Sequence, residues 1–196
     1  MKKLERILDL ARWAPSGDNS QPWCFEILSD THVLVHAFDT RAHCVYDLEG
    51  RASQLSVGAM LETMRIAAST EGCGLRTARR QEAADELPLI DAWLDESAGV
   101  PADPLGEFIR QRSVQRRPLS TATIRPHAID ALASSVGPRY DIVWFQGPKQ
   151  RLHMAWLAAR SAKIRLTIPE AYAVHRDIIH WGVKYSEEGV PDQALG

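Results

Sequence analysis

The sequence has few of the residues that indicate disulfide frameworks or metal centres. Its three cysteines, Cys24, Cys44 and Cys73, are odd in number, widely spaced and without a CxxC pair. This pattern is typical of a reducing cell interior and indicates neither a disulfide framework nor a zinc site. No HExxH motif is present, and His32 and His36 stand too far apart on a predicted strand to share one metal ion. We therefore predict no metal site.

The chain also lacks the sequence features of a membrane span, a secretory leader or a nucleic-acid-binding surface. No apolar run approaches the roughly 18 residues of a membrane helix, and Asp9 and Arg12 interrupt the stretch after the charged N-terminus. The net charge of −2 supplies no polycationic surface for phosphates. Nucleophile-elbow, Walker and dinucleotide fingerprints are absent, as are repeats. We expect a soluble cytoplasmic protein without a nucleic-acid or membrane partner.

Two residue counts are unusual. Only one asparagine, Asn19, occurs in 196 residues, and 18 of the 23 basic residues are arginine. Arginine is suited to bidentate recognition of phosphate and carboxylate groups. With 196 residues, of which 45 % are apolar, the chain can bury a sizeable core.

Apolar periodicity predicts the elements of the first 96 residues. Leu4, Ile7, Leu8 and Ala11 form the apolar stripe of a helix that ends before Pro15. Residues 23–28 and 31–38 are typical of a hairpin, and a helix from Arg51 is closed by Gly72. Residues 75–94 are ambiguous, with 88–94 a candidate strand.

Residues 97–104 have the composition of a linker, rich in Pro and small residues. After it we predict a short helix with Leu105 and Phe108 and a helix over 129–136. A strand over 140–145, a helix from Pro148 and a final helix from Pro169 follow. Residues 185–196 are predicted to be a polar loop.

Two loops carry hydrogen-bonding and charged residues. The first, residues 12–23, contains Pro15, Ser16, Asn19 and Gln21 and could present fixed donors and acceptors to a planar ring. An ordinary helix cap and turn would use the same residue types. The second loop places four arginines, with Ser113, within eight residues, which suits a phosphomonoester or, alternatively, a solvated basic loop. These arginines are Arg110, Arg112, Arg116 and Arg117.

The string Ala14-Pro-Ser-x-x-Asn-x-Gln-Pro-Trp23 resembles the signature of the nitroreductase-like flavoproteins, and the loop at Arg112–Arg116 is similar to their phosphate-binding segment. The order of the two motifs is that of the long single-chain branch, which includes Acg-type proteins and domains fused to adenylating ThiF-like domains. The resemblance implies an α+β nitroreductase fold, with a mixed or antiparallel sheet flanked by helices. It also implies two family halves, 1–96 and 105–196, joined by residues 97–104.

The resemblance further implies an FMN cofactor. Pro15, Ser16 and Asn19 match positions at the isoalloxazine edge, and Arg112 and Arg116 match those at the phosphate. Ser113 stands one place away from the family's hydroxyl position. No catalytic acid or base is implied, because a flavin performs the chemistry.

Three functions are compatible with this resemblance. The first is an NAD(P)H-dependent oxidoreductase that passes electrons through FMN to a small acceptor. The alternatives are a non-catalytic protein that sequesters FMN and an accessory domain of a larger adenylating-type protein. Relatives in this branch continue past the equivalent of Gly196, so we expect the fold to be incomplete at its C-terminus. Apolar surface would then be covered by self-association, as in a homodimer, or by a further portion of the chain.

Overall fold

The computed structural model describes residues 1–114, 120–138 and 140–195 as an arrangement of helices and short strands. The elements are α1 (Lys3–Ala11), β1 (Trp23–Ser29), β2 (His32–Ala37), α2 (Arg51–Thr70), β3 (Gly74–Arg79), β4 (Leu89–Asp95), α3 (Pro126–Ser135), α4 (Pro148–Thr167), α5 (Pro169–Ile178), β5 (Ile179–His180) and β6 (Val190–Pro191). The protein is therefore α+β, as its sequence predicts. None of the described helices combines the length and apolar character that a membrane span requires.

These elements form two compact units. The first comprises Met1–Arg116 and Ala173–Gly196, and the second comprises Arg117–Tyr172. The sheet, α1 and α2 belong to the first unit, whereas α3 and α4 belong to the second. The predicted linker at residues 97–104 lies inside the first unit, so the two units do not divide there. The family halves that the resemblance implies remain a prediction.

A four-stranded antiparallel sheet, in the order β1-β2-β4-β3, organises the first unit. The predicted hairpin is confirmed, because Phe25 of β1 pairs with Val35 of β2. Val35 pairs in turn with Ile90 of β4. The ambiguous residues 75–94 contain most of β3 and most of β4, and the candidate strand at 88–94 corresponds to β4.

The core of this unit is formed by one face of the sheet together with α1 and α2. The apolar stripe predicted for α1 is buried, and Met60 and Met64 of α2 are completely enclosed. Val33 and Val35 supply the sheet side of the same cluster. Burial of each such side chain contributes about 1.5–3 kcal/mol. This packing fixes where α1 ends and where β1 begins, and so positions the loop between them.

Residues 140–145 do not form the predicted strand. Tyr140 and Val143 are 70 % and 73 % exposed, and no strand of the described residues pairs with this segment. Aromatic and β-branched residues favour strands where they pack on a half-buried sheet, and this segment lacks such a sheet. The helices predicted around it are confirmed as α3, α4 and α5, and the short helix at Leu105 is a 3-10 turn over Pro104–Phe108.

The outer face of the sheet holds a buried carboxylate. The Arg80 guanidinium donates to both oxygens of Asp91 at 2.8 and 2.9 Å, and His32 Nε2 lies 2.8 Å from Asp91 Oδ1. The hydrogen bonds from Arg80, and then that from His32, lower the pKa of Asp91 to about 2 despite its burial. This charge is therefore compensated where it is buried.

A second buried carboxylate joins the segment after β2 to the start of α2. Asp47 Oδ2 accepts hydrogen bonds from Ser53 Oγ at 2.6 Å and Thr40 Oγ1 at 2.8 Å, and Oδ1 accepts one from the backbone N–H of Ala52 at 2.9 Å. Burial opposes ionisation, but these hydrogen bonds hold the pKa of Asp47 below its ordinary value. Asp47 thereby satisfies one of the N–H groups left unpaired at the helix start.

We expect Asp47→Ala to lower the free energy of unfolding by about 2–4 kcal/mol, because it leaves several buried donors without an acceptor. Urea denaturation at pH 7 measures the loss. Asp85→Ala is the control, since Asp85 forms an exposed ion pair with Arg79 and should cost at most about 1 kcal/mol. Equal losses in the two variants would contradict the role given to Asp47.

The same network has a predictable pH dependence. The folded-state pKa of Asp47 is lowered, so its contribution is complete above the unfolded pKa of about 3.9 and disappears as the pH falls through the folded value. The difference in stability between the wild type and Asp47→Ala should therefore narrow between pH 5 and the acid limit of the urea series, set at about pH 2.

Candidate functional site

The loop between α1 and β1 is held at both ends by buried side chains. Ala14 is 4 % exposed and Trp23 is 6 % exposed, so core packing fixes where the loop leaves the core and where it returns. Between them, Ser16 Oγ accepts a hydrogen bond from the backbone N–H of Gln21 at 3.0 Å. The loop conformation is therefore set by the core and by a side chain of its own.

Three non-glycine residues of this loop have left-handed backbone angles. The φ values of Asp18, Asn19 and Gln21 are 50°, 58° and 44°. Asn and Asp tolerate this region better than most residues do, and each such position costs about 1–3 kcal/mol. The N–H of Gly17 donates to Ser56 Oγ on α2 at 3.3 Å, which helps to hold the strained segment. Strain of this kind is concentrated at ligand sites.

Asn19 and Gln21 direct their side-chain amides to a distant segment of the chain. Asn19 Nδ2 donates to the carbonyl oxygens of Glu187 at 3.1 Å and Gly189 at 3.2 Å. Gln21 Nε2 donates to the same Glu187 oxygen at 2.5 Å, and the N–H of Gly189 donates to the Asn19 carbonyl at 3.3 Å. We call these four hydrogen bonds the Asn19 clasp. The clasp uses both amide hydrogens of Asn19.

A cleft of about 470 Å³ lies against this loop. Its lining residues are Arg12, Trp13, Ala14, Pro15, Ser16, Asn19, Gln21, Arg112, Val114, Tyr185, Ser186, Glu187, Gly189, Val190 and Pro191. Four of the predicted cofactor residues, Pro15, Ser16, Asn19 and Arg112, are thus brought together although about ninety positions separate the two motifs. Ser113 does not line the cleft. Arg116 lies outside the described residues, so its predicted role stays a prediction.

Among the described arginines of the second loop, Arg112 is the one that lines the cleft. Its Nη2 donates to the backbone carbonyl of Trp13 at 3.2 Å. Arg110 pairs instead with Asp9, which also accepts a hydrogen bond from Arg12 at 2.9 Å. Hydrogen bonding from Arg12, supported by the charge of Arg110, holds the pKa of Asp9 below its ordinary value. Because a carbonyl carries no net charge, Arg112 keeps its positive charge for an anionic ligand.

The sequence analysis did not identify residues 185–191 as part of a site. These residues were predicted to be a polar loop, yet Val190 is buried and pairs with Ile179 in the short parallel β5-β6 ladder. The sequence feature that could have indicated this fixed segment is its pair of glycines, Gly182 and Gly189. In the structure their φ values are 75° and 69°. Glycine is favoured in this region, so the pair marks two fixed turns.

The cleft therefore combines guanidinium groups, aromatic rings and neutral hydrogen-bonding groups. Trp13 is 40 % exposed, and Arg12 lies 5.6 Å from its ring centroid. Over the described ranges, no three His, Cys, Asp or Glu side chains are placed to hold a metal ion. The arrangement suits a planar ligand with an anionic group, since rings stack on aromatic faces and anions pair with guanidinium groups.

Gly189 and Gly182 provide a matched test of how tightly residues 185–191 are held. A Cβ at position 189 would lie 2.7 Å from the Ile178 carbonyl oxygen and 2.9 Å from His180 Nε2, whereas one at position 182 would meet open space. We expect Gly182→Ala to show only the cost of a left-handed alanine, about 1–2 kcal/mol.

Gly189→Ala should also release the segment, so that amide hydrogen exchange in residues 185–191 rises about tenfold above that of Gly182→Ala, which corresponds to about 1.4 kcal/mol. Hydrogen exchange read by mass spectrometry measures both variants. Similar exchange in the two would mean that the close contact at position 189 does not hold the segment.

Comparison with known proteins identifies no family model that matches this chain and no curated protein with significant similarity to it. Its function is therefore inferred from its residues and from the geometry of the cleft.

Proposed function

We propose that the cleft binds FMN and that the protein is a nitroreductase-type oxidoreductase. In this proposal, electrons pass from NAD(P)H through FMN to a small acceptor. The observation that carries it is the meeting, in one cleft, of Pro15, Ser16 and Asn19 from the first motif with Arg112 from the second. Residues so distant in sequence have no local reason to share a cleft. The nitroreductase fold and the cytoplasmic location belong to the same proposal, and the three unpaired cysteines agree with that location.

The cleft has the size and the groups that FMN requires. Its volume of about 470 Å³ falls within the range of about 300–1,000 Å³ typical of small-molecule sites. Arg112 would hold the phosphate, because guanidinium–phosphate hydrogen bonds are charge-assisted. Pro15 and Ser16 would hold the ring, and the Ser16 hydroxyl can donate because its oxygen accepts from Gln21.

Asn19 has a more restricted role than the family motif implies. Its amide hydrogens are used by the clasp, so its side chain can offer the ring only the carbonyl oxygen, which accepts. A flavin ring carries an N–H group that such an acceptor suits. The residues present therefore fit FMN.

FMN, when bound, would supply the chemistry, because its isoalloxazine ring accepts a hydride and releases electrons to an acceptor. The chain itself binds and orients. Arg112 positions the phosphate, while the rigid backbone from Pro15 to Gln21 keeps polar groups at fixed places without reorganisation. Trp13 and Ala14 would shield one side of the bound ligand from water.

Two alternatives to the enzyme make different predictions. A protein that sequesters FMN would bind it without bleaching when NAD(P)H is added under anaerobic conditions. An accessory domain of an adenylating-type protein would bind no flavin. Absorbance in the flavin bands and its loss on reduction therefore separate the three functions.

We also propose that the protein self-associates, in addition to binding a small-molecule acceptor. Helix α4 exposes Leu152, Trp156 and Ile164 by 73 %, 51 % and 54 %, and exposed apolar surface of this extent favours association. Sedimentation equilibrium should give a mass of a dimer or larger for the wild type, and a monomer mass would remove this part of the proposal.

We expect Arg112→Ala to weaken FMN binding by about 10- to 100-fold and riboflavin binding by less than threefold. Riboflavin has the same ring without the phosphate, and hydrogen bonds to charged groups contribute about 1.5–3 kcal/mol. Flavin fluorescence titration measures both affinities.

Arg110→Ala is the control for this titration. It removes the same charge two positions away, but its guanidinium is paired with Asp9 and does not line the cleft. It should change neither affinity by more than threefold. Equal loss of FMN and riboflavin in Arg112→Ala would exclude a phosphate contact at this residue.

A further inference from the structure

The side of the cleft formed by residues 185–191 has a chemical character of its own. It includes the aromatic residue Tyr185 and the acidic residue Glu187 but no basic residue, whereas the cations that line the cleft, Arg12 and Arg112, belong to other segments. A dianionic phosphate would be repelled by Glu187 and attracted by the arginines. Residues 185–191 therefore suit the uncharged ring part of a ligand better than its phosphate.

We propose that residues 185–191 form a ring-binding wall, in which Tyr185 stacks on the ligand's planar ring. In the same proposal, Asn19 and Gln21 are positioning residues that hold this wall through the clasp. The inference rests on the proposed function and adds to it a second set of binding residues. It also gives the single asparagine of the chain, Asn19, a positioning role in addition to the acceptor that its side-chain oxygen offers to the ring.

The wall is anchored at several points, as a binding surface must be. Val190 is buried and is paired in the β5-β6 ladder. The N–H of Gly182 donates to Asp192 Oδ2 at 3.0 Å, and His180 Nδ1 lies 2.6 Å from Ser186 Oγ. These contacts, together with the clasp, fix the backbone on both sides of Glu187.

Tyr185 lies at the start of this anchored segment, beside the cleft. It lines the cleft and is 81 % exposed, and Lys184 Nζ lies 5.5 Å from its ring centroid. An exposed aromatic ring on an anchored backbone stacks on a planar ligand at little cost in conformational freedom. Stacking on an aromatic ring is independent of any phosphate, so FMN and riboflavin should depend on it equally.

One isosteric substitution makes two of the attractive contacts of the Asn19 clasp repulsive. In Asn19→Asp, an oxygen replaces the nitrogen that now faces the carbonyl oxygens of Glu187 and Gly189 at 3.1 and 3.2 Å. Two attractive contacts become repulsive ones while the shape is conserved. Gln21→Ala removes only one donor and serves as a milder second variant.

The first part of the test compares flavin affinities by fluorescence titration of the full chain. Tyr185→Ala should weaken FMN and riboflavin by a similar factor of about ten, whereas Tyr185→Phe, which keeps the ring, should stay within threefold of the wild type. Unchanged affinity in Tyr185→Ala, with normal binding to the wild type, would overturn the ring-binding wall and leave the proposed function intact. A wild-type chain that binds neither flavin would overturn both.

The second part needs no ligand. The Gly189 N–H donates to the Asn19 carbonyl, so hydrogen exchange of residues 185–191 reports directly on the clasp. Asn19→Asp should increase this exchange about tenfold and Gln21→Ala less, with the exchange of β1 to β4 unchanged in both.

The control for both parts is Gln193→Glu, which adds a similar charge close to the segment but changes a side chain that does not line the cleft. It should leave exchange and both affinities within threefold of the wild type. Asn19→Asp with normal exchange in residues 185–191 would overturn the positioning role. Loss of protection throughout the sheet would identify Asn19 as a residue of the general fold, which also contradicts the proposal.

Discussion

The site depends on the fixed course of the loop between α1 and β1. Burial of Ala14 and Trp23 determines the two ends of that loop, and the core that buries them is formed by α1, α2 and the sheet. The left-handed angles at Asp18, Asn19 and Gln21 persist because these ends cannot relax. The free energy of core packing, several kcal/mol, thus holds the polar groups of the loop in one arrangement.

Charge in the site is distributed by pairing. Asp9 forms ion pairs with two arginines, Arg12 and Arg110, so its single negative charge offsets only part of theirs, and it lies on the helix that precedes the loop. Arg112 contacts an uncharged carbonyl of the same loop, so its charge is not cancelled there. The arginine-rich second loop, which in the sequence could equally be a solvated basic loop, therefore presents the localised positive charge of Arg112 to the cleft. Such a charge is more selective for an anion than a diffuse basic surface would be.

Much of the first unit could be predicted from the sequence because its patterns are local. The i, i+3, i+4, i+7 spacing of Leu4, Ile7, Leu8 and Ala11 gives one helical stripe, and that stripe is buried. The strand predicted for residues 140–145 was wrong for the opposite reason, because a strand requires pairing partners that local residue preference cannot supply. Tyr140 has the right residue type for a strand but is 70 % exposed.

Only one side of the candidate site, formed by the two predicted loops, could be predicted from the sequence. The first motif carries unusual residues at close spacing, including the single Asn19, and Arg112 stands in a dense arginine segment. Residues 185–191 are polar and carry no motif, and they reach the cleft through hydrogen bonds between positions about 170 residues apart. No periodicity encodes such a contact, so it becomes visible only when the chain is folded.

The most direct measurement of the central claim is hydrogen exchange of the full chain with and without FMN. If FMN occupies the cleft, protection should increase in three separate stretches, residues 12–21, 110–114 and 185–191, and should stay unchanged in β3 and in the exposed helix α4. Protection confined to other stretches, or none at saturating FMN, would contradict the account.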